Sequence, residues 1–228
     1  MLDDFKTFLQ QTFAGVTNPT HEGERFIWIA LYVALAGLLM TIFWRPRGDV
    51  LGLLPLGALA ALALAFFFRN PERVISAQPD DILCPADGRV LKVGTEGDKD
   101  VVVVRIFLSV LDVHIQRAPM DGTVGEIVYT KGTFEVASAA QAARNERNLI
   151  PIANGARFAH VEQITGAVAR RIACWVKQGQ SVKAGERLGL IYFGSQVAVY
   201  LPAAAVRIMV KPGQRVEGGL TVLGLWRQ

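Results

Sequence analysis

The chain has 228 residues, of which 51% are hydrophobic, with a formal net charge of +4 and two cysteines. That apolar content excludes a disordered or low-complexity chain, and two cysteines in a chain of this length exclude a disulfide framework and offer no metal-ligand spacing. The surplus of Lys and Arg forms no run interleaved with aromatics, which argues against nucleic acid and for anionic lipid headgroups.

Residues 1–25 are polar and partly acidic, without the small-residue cleavage site of a signal peptide. Residues 26–44 and 50–68 then form two uncharged stretches of 19 residues each. At about 1.5 Å per residue each nearly matches a hydrocarbon core about 30 Å thick, so the expectation over 26–68 is a two-helix transmembrane hairpin. A pair of buried core helices is the competing reading, disfavoured by the length of the uncharged runs. Residues 45–49, with Arg45 and Arg47, make the turn, and Trp28, Tyr32 and Trp44 fall where aromatic belts sit. Lys6, Arg25, Arg69 and Arg73 flank the hairpin on the side opposite Arg45 and Arg47. The positive-inside bias thus expects an inner-membrane anchor with the domain that follows in the cytoplasm.

From residue 69 to 228 short β-branched runs recur between glycine turns, at 89–93, 101–107, 123–129, 168–176, 188–192, 197–201, 206–210 and 220–225. This spacing predicts a mainly β domain, a sandwich or barrel. One alanine-rich stretch, 136–147, reads as a short helical insertion. Val176-Lys-Gln-Gly-Gln-Ser-Val-Lys-Ala-Gly185 recurs 34 positions later as Val210-Lys-Pro-Gly-Gln-Arg-Val-Glu-Gly-Gly219. The repeat resembles the half-motifs of lipoyl and biotinyl domains and predicts two pseudo-symmetric halves. It also raises a rival function, a membrane-tethered, non-catalytic lipoyl-like adaptor or lipid-binding protein. A carrier would need a lysine at the hairpin tip between the halves, and the tip-like position holds Gly194-Ser195.

Gly194-Ser195 is the most informative dipeptide of the chain. Glycine places no Cβ before the serine and tolerates a left-handed backbone, so the Ser195 hydroxyl can reach the Gly194 carbonyl. Alone, a Gly-Ser pair reads as a bulge or bend. Its company is an ordered series: Arg69-Asn70-Pro71-Glu72-Arg73, Pro85-Ala86-Asp87-Gly88, Asp112-Val113-His114-Ile115-Gln116-Arg117, Lys131-Gly132-Thr133-Phe134, Asn145-Glu146-Arg147-Asn148, Ala169-Arg170-Arg171-Ile172 and Phe193-Gly194-Ser195. In this order the motifs resemble the phosphatidylserine decarboxylases, in their short bacterial form, over roughly residues 66–202.

The resemblance implies a proenzyme that cuts itself between Gly194 and Ser195 and turns Ser195 into a covalent pyruvoyl cofactor. The product would be a heterodimer of the chain's own two pieces, 1–194 and 195–228, open to further oligomerisation. Its substrate would be phosphatidylserine in the membrane, converted to phosphatidylethanolamine. Carbanion chemistry needs an electron sink that ordinary side chains lack, and the sequence shows neither the phosphate cradle nor the Schiff-base lysine of a pyridoxal enzyme. Serine also needs a base. Of three histidines, His21 precedes the first apolar stretch and His160 lies outside the motifs, which leaves His114. Asp87 matches the family's triad carboxylate, and Asp112 is a second-choice partner for His114, on the same face if that segment is a strand. Read without the family, Asp87 is an ordinary turn residue and Asp112 a cap.

Arg117, Arg144, Arg147, Arg170 and Arg171 are candidates for the lipid phosphate or carboxylate, with solvated surface or a brace on the turn as the other reading. Two departures from the family stand out. Larger relatives carry a second histidine where this chain has Arg117, and short relatives often carry Arg and an acidic residue where it has Gln196 and Ala198.

Overall fold

A computed structural model describes residues 19–43, 53–96, 98–135, 144–167, 171–192 and 194–227. It divides into two units, Met1–Glu72 and Arg73–Gln228.

The first unit holds two helices, α1 (His21–Phe43) and α2 (Leu53–Phe67). They run antiparallel, because the Thr20 amide donates to the Phe68 carbonyl at 2.9 Å and joins the start of one to the end of the other. Small residues let them approach: a Cβ added to Gly57 would lie 2.9 Å from the Ala34 Cβ and 3.0 Å from the Ala30 carbonyl oxygen. Among the described residues no helix is long and apolar enough to cross a membrane. The described residues thus show a packed helix pair and do not confirm the expected transmembrane hairpin. The described part of α2 has 15 residues, and the residues just before it, 44–52, lie outside the described residues. α1 opens on a polar turn containing Glu22 and Glu24. The turn at 45–49 lies outside the described residues.

The second unit is mainly β, as its sequence predicts. Its strands are β1 (Asp81–Leu83), β2 (Gly88–Glu96), β3 (Asp98–Leu108), β4 (Ile115–Arg117), β5 (Gly122–Val124), β6 (Val128–Thr130), β7 (Arg147–Asn154) and β8 (Arg157–Ile164). After these come β9 (Ile172–Cys174), β10 (Ser181–Val182), β11 (Arg187–Ile191), β12 (Ser195–Pro202), β13 (Val206–Ile208), β14 (Arg215–Val216) and β15 (Val222–Trp226). The largest sheet has the order β10-β5-β7-β8-β12-β3-β2-β14, and β1-β15-β13 and β4-β11-β9 form two smaller ones. Strand alternation sorts the faces: Val197, Val199 and Leu201 of β12 join Val104, Ile106 and Leu108 of β3 in the core.

The internal repeat is visible as paired hydrogen bonds. Gly179 donates to the Val124 carbonyl, and Gly213 to the Val90 carbonyl, both at 2.8 Å. Gly185 donates to the Ala118 carbonyl at 2.8 Å and Gly219 to that of Cys84 at 2.7 Å. Val124 and Val90, like Ala118 and Cys84, are themselves 34 positions apart, so the symmetry reaches a second repeat, Pro85-Ala-Asp-Gly-Arg-Val90 and Pro119-Met-Asp-Gly-Thr-Val124. The two halves are thus built from four related segments.

Two expectations are corrected. The helical insertion over 136–147 does not hold at its described end: Arg147 opens β7, whose side chains alternate between half-buried and buried up to Ile152. Ile150 and Ile152 are core residues, and that alternating apolar face fixes the strand that begins at Arg147. Residues 136–143 lie outside the described residues. Nor is Gly194-Ser195 a hairpin tip, because β11 and β12 belong to different sheets and the dipeptide is where the chain passes between them.

Candidate active site

Ser195 begins β12, inside the sheet, where it pairs with Leu108 of β3. Its side chain is fully buried, and among the described residues its Oγ has no hydrogen-bond partner. A buried hydroxyl left without a partner costs about 1–3 kcal/mol and is the kind of strain that active sites retain. Gly194 has φ 66°, and a Cβ built on it meets nothing within 4 Å. Glycine is required there by the backbone and not by space.

His114 is fully buried beside this peptide. Its Nδ1 is 2.9 Å from the Asp112 carbonyl oxygen. A carbonyl can only accept, so Nδ1 carries the proton and Nε2 the lone pair. That lone pair accepts the Gly194 N–H at 3.2 Å. Asp112 thus serves His114 through its main chain. Its carboxylate instead closes a turn, accepting from the Ser109 amide at 2.8 Å and hydroxyl at 2.7 Å, and from Arg215 at 2.9 Å.

Asp87 has other partners. Both of its oxygens accept from the Arg73 guanidinium at 2.7 Å, and Oδ1 also takes the Gly218 amide at 2.8 Å. Asp121, its counterpart 34 positions on, takes the Ala184 amide at 2.8 Å in the same way. The Asp87–Gly218 bond is thus part of the repeat, and each aspartate adds a different cation, Arg73 on Asp87 and Lys183 at 3.1 Å on Asp121. Arg89 pairs with Phe107, and Phe107 with Gln196. The start of β2 therefore lies two strand spacings, about 10 Å, from the start of β12.

Sequence reasoning missed a buried amide relay that holds the His114 backbone. Gln116 donates to the His114 carbonyl at 2.8 Å, Gln163 to Gln116 at 2.8 Å, and Asn148 to Gln163 at 2.9 Å. Gln116 and Asn148 stand within quoted motifs, but Gln163 reaches the site only through β8 and carries no local signal.

The candidate arginines divide. Arg117 is buried and donates to the Gly185 carbonyl at 2.9 Å, which braces a turn. Burial, followed by the nearby Arg73 and Arg187, lowers its guanidinium to about 10. Arg147 pairs with Glu162 at 3.6 Å. Arg144 and Arg171 are exposed, with Arg171 5.9 Å over the Tyr192 ring. Arg170 lies outside the described residues.

At the two departures from the family, Ala198 packs against Val103 and Ile164, and the Gln196 side chain accepts from Arg105 at 2.8 Å. Arg105 also grips Glu96 at 2.6 Å. Hydrogen bonds from Arg105, with Lys92 helping, hold the Glu96 carboxyl down to about 2. A carboxylate depressed in the folded state stabilises fully above its ordinary value near 4.5, and that stability is lost as pH falls through 2. Glu96→Gln is expected to lower unfolding free energy by about 1 kcal/mol at neutral pH, after allowing for solvent screening. Urea titrations down the pH scale should show the gap to wild type closing below pH 4.5. A gap independent of pH would contradict the ion pair.

The arrangement sets a buried serine hydroxyl, without a partner among the described residues, one residue after a glycine whose N–H is held by a buried histidine, one peptide bond before the Gly194–Ser195 bond. The family model for phosphatidylserine decarboxylase matches residues 60–224. A protein from Carboxydothermus hydrogenoformans is 45% identical over 73% of this chain and 81% of its own length. One from Xanthobacter autotrophicus is 39% identical over 90% of this chain and 88% of its own. A third, from Burkholderia cenocepacia, is 42% identical over 69% and 76%. All three are named phosphatidylserine decarboxylase proenzyme. The chain belongs to the phosphatidylserine decarboxylase family.

Proposed function

We propose that this chain is a self-cleaving proenzyme that decarboxylates phosphatidylserine to phosphatidylethanolamine, with a pyruvoyl group made from its own Ser195. The observation behind this reading is the buried Ser195 Oγ, without a partner among the described residues, next to a left-handed Gly194 whose amide already meets His114 Nε2. Nothing in the comparisons favours the non-catalytic adaptor.

Processing follows from those atoms. His114 Nε2 exchanges the Gly194 N–H for the Oγ proton, Oγ bonds to the Gly194 carbonyl carbon, and the imidazolium returns the proton to the Ser195 nitrogen as the C–N bond breaks, leaving an ester and a free amine on Ser195. Loss of the Ser195 α-proton then expels Oγ with the Gly194 carboxylate. The resulting dehydroalanine tautomerises and takes up water, releasing ammonia and leaving a ketone at position 195.

The residues present fit that group. Position 195 is dry and opens a strand held on both sides, by β3 and β8. Once formed, the pyruvoyl group supplies the electron sink for loss of CO2. The small chain stays bound after the cut, since β12 pairs with β3 and β8, β14 with β2, and β15 with β1. A heterodimer of the two pieces is the expected product.

The exposed Arg144 and Arg171 are the cations proposed to meet the lipid phosphate. Exposed Trp28, Tyr32, Leu56, Leu59 and Leu62 on the helix pair support seating at the inner membrane. The positive flanks favour the cytoplasmic side.

The test is release of labelled CO2 from carboxyl-labelled phosphatidylserine by the purified chain. Release that stops after borohydride reduction of the ketone is the expected result. Release untouched by borohydride would remove the pyruvoyl group, and none at all would remove the activity.

A further inference from the structure

Between β3 and His114 the chain makes a tight turn over residues 109–112 that displays two large apolar side chains. Val110 is 53% exposed and Leu111 65%. The turn is not free to fold them inward. Asp112 closes it by accepting from the Ser109 amide and hydroxyl, and the Asp112 amide donates back to the Ser109 carbonyl at 2.9 Å.

Its position is specific. The residue before it, Leu108, pairs with Ser195, and two residues after it stands His114. Beside it Arg215 donates to Asp112 and pairs across β14 and β2 with Arg89, and both arginines are exposed.

We propose that this turn is a second membrane contact, an insertion tip by which the catalytic unit itself enters the interface of an anionic bilayer next to Ser195. The inference rests on phosphatidylserine as the substrate. Two apolar side chains are far too little for a stable protein interface, which takes about 800 Å² from each partner. A small fixed apolar tip next to cations suits a bilayer, where the tip reaches the acyl boundary and the cations meet anionic headgroups. Two arginines outnumber the single carboxylate of Asp112. A diacyl substrate leaves the bilayer reluctantly, and a tip here brings the lipid plane to the serine instead of bringing the lipid to a distant pocket.

The experiment uses the full chain. A bimane dye is attached to Leu111→Cys in a Cys174→Ser background, Cys174 being the exposed cysteine and Cys84 the buried one. The protein is reconstituted with phosphatidylcholine vesicles, with and without phosphatidylglycerol. A blue-shifted emission that deepens with phosphatidylglycerol is expected, and emission unchanged from that in detergent overturns the proposal. This optical result stands whether or not the chain decarboxylates, so it separates failure of the tip from failure of the proposed activity.

In parallel, Val110→Ser with Leu111→Ser should cut normally by mass. It should lose about tenfold in rate on vesicle phosphatidylserine while keeping its rate on a monomeric short-chain phosphatidylserine. Equal loss on both substrates, or no loss on vesicles, overturns it.

Discussion

Ser195→Ala leaves a single uncut chain and abolishes decarboxylation. The hydroxyl is the only atom removed, and both the cut and the electron sink need it. With no Oγ to attack the Gly194 carbonyl no ester forms, and with no ester no ketone is left at position 195. The expected loss is at or below detection, at least about 10⁴-fold. Instability does not explain such a result. Ser195 Oγ is buried without a partner among the described residues, so alanine removes a desolvated polar atom and leaves a small side chain in the same place. Thermal stability of Ser195→Ala should equal or exceed that of uncut wild type. A cleaved and active Ser195→Ala protein would sink the mechanism.

His114→Ala slows self-cutting by about 10²- to 10³-fold, the usual contribution of a positioned base. The imidazole is fixed from two sides, its proton on the Asp112 carbonyl and its lone pair on the Gly194 amide. The main chain at 114 is held separately, by Gln116 and by the Ile191 amide. Loss of the ring should therefore leave the strand in place and remove only the base. A time course of chain cleavage on gels after synthesis gives the rate. Normal cutting with lost turnover would move His114 to the decarboxylation step, and normal cutting with normal turnover would take it out of the site.

Much of the β unit can be read from local sequence. β2, β3, β11 and β12 stand where β-branched runs lie between glycines, and the 34-residue repeat announces two related halves. The hairpin of β7 and β8 was hidden for a physical reason. Its strand starts at Arg147 directly after an alanine-rich stretch, and its proline and asparagines dilute the β signal. Only burial of Ile150 and Ile152 against the core reveals the alternation. The apolar runs at 26–44 and 50–68 were legible as two helices, which the described residues show packed against each other.

At the site, the expected nearness of His114 to Gly194-Ser195 could be read because the chemistry restricts the choice to few residues, and His114 Nε2 does meet the Gly194 amide. Their environment could not be read. The partnership of Asp87 with Gly218 and the relay from Asn148 through Gln163 to Gln116 join segments far apart in the chain, and the use of the Asp112 carbonyl in place of its carboxylate depends on the turn conformation and on distant Arg215. Sequence spacing carries no record of such contacts. The matching roles of Asp87 and Asp121 could have been read, since Pro-x-Asp-Gly-x-Val occurs twice at the same 34-residue offset as the glycine repeat.

The central claim is that the chain makes its own cofactor at Ser195, and intact mass spectrometry of the purified protein tests it most directly. The predicted result is two masses: residues 1–194 ending in the Gly194 carboxylate, and residues 195–228 beginning with a pyruvoyl group in place of serine. A single full-length mass from membrane-reconstituted protein, or a 195–228 fragment that still begins with serine, would contradict it.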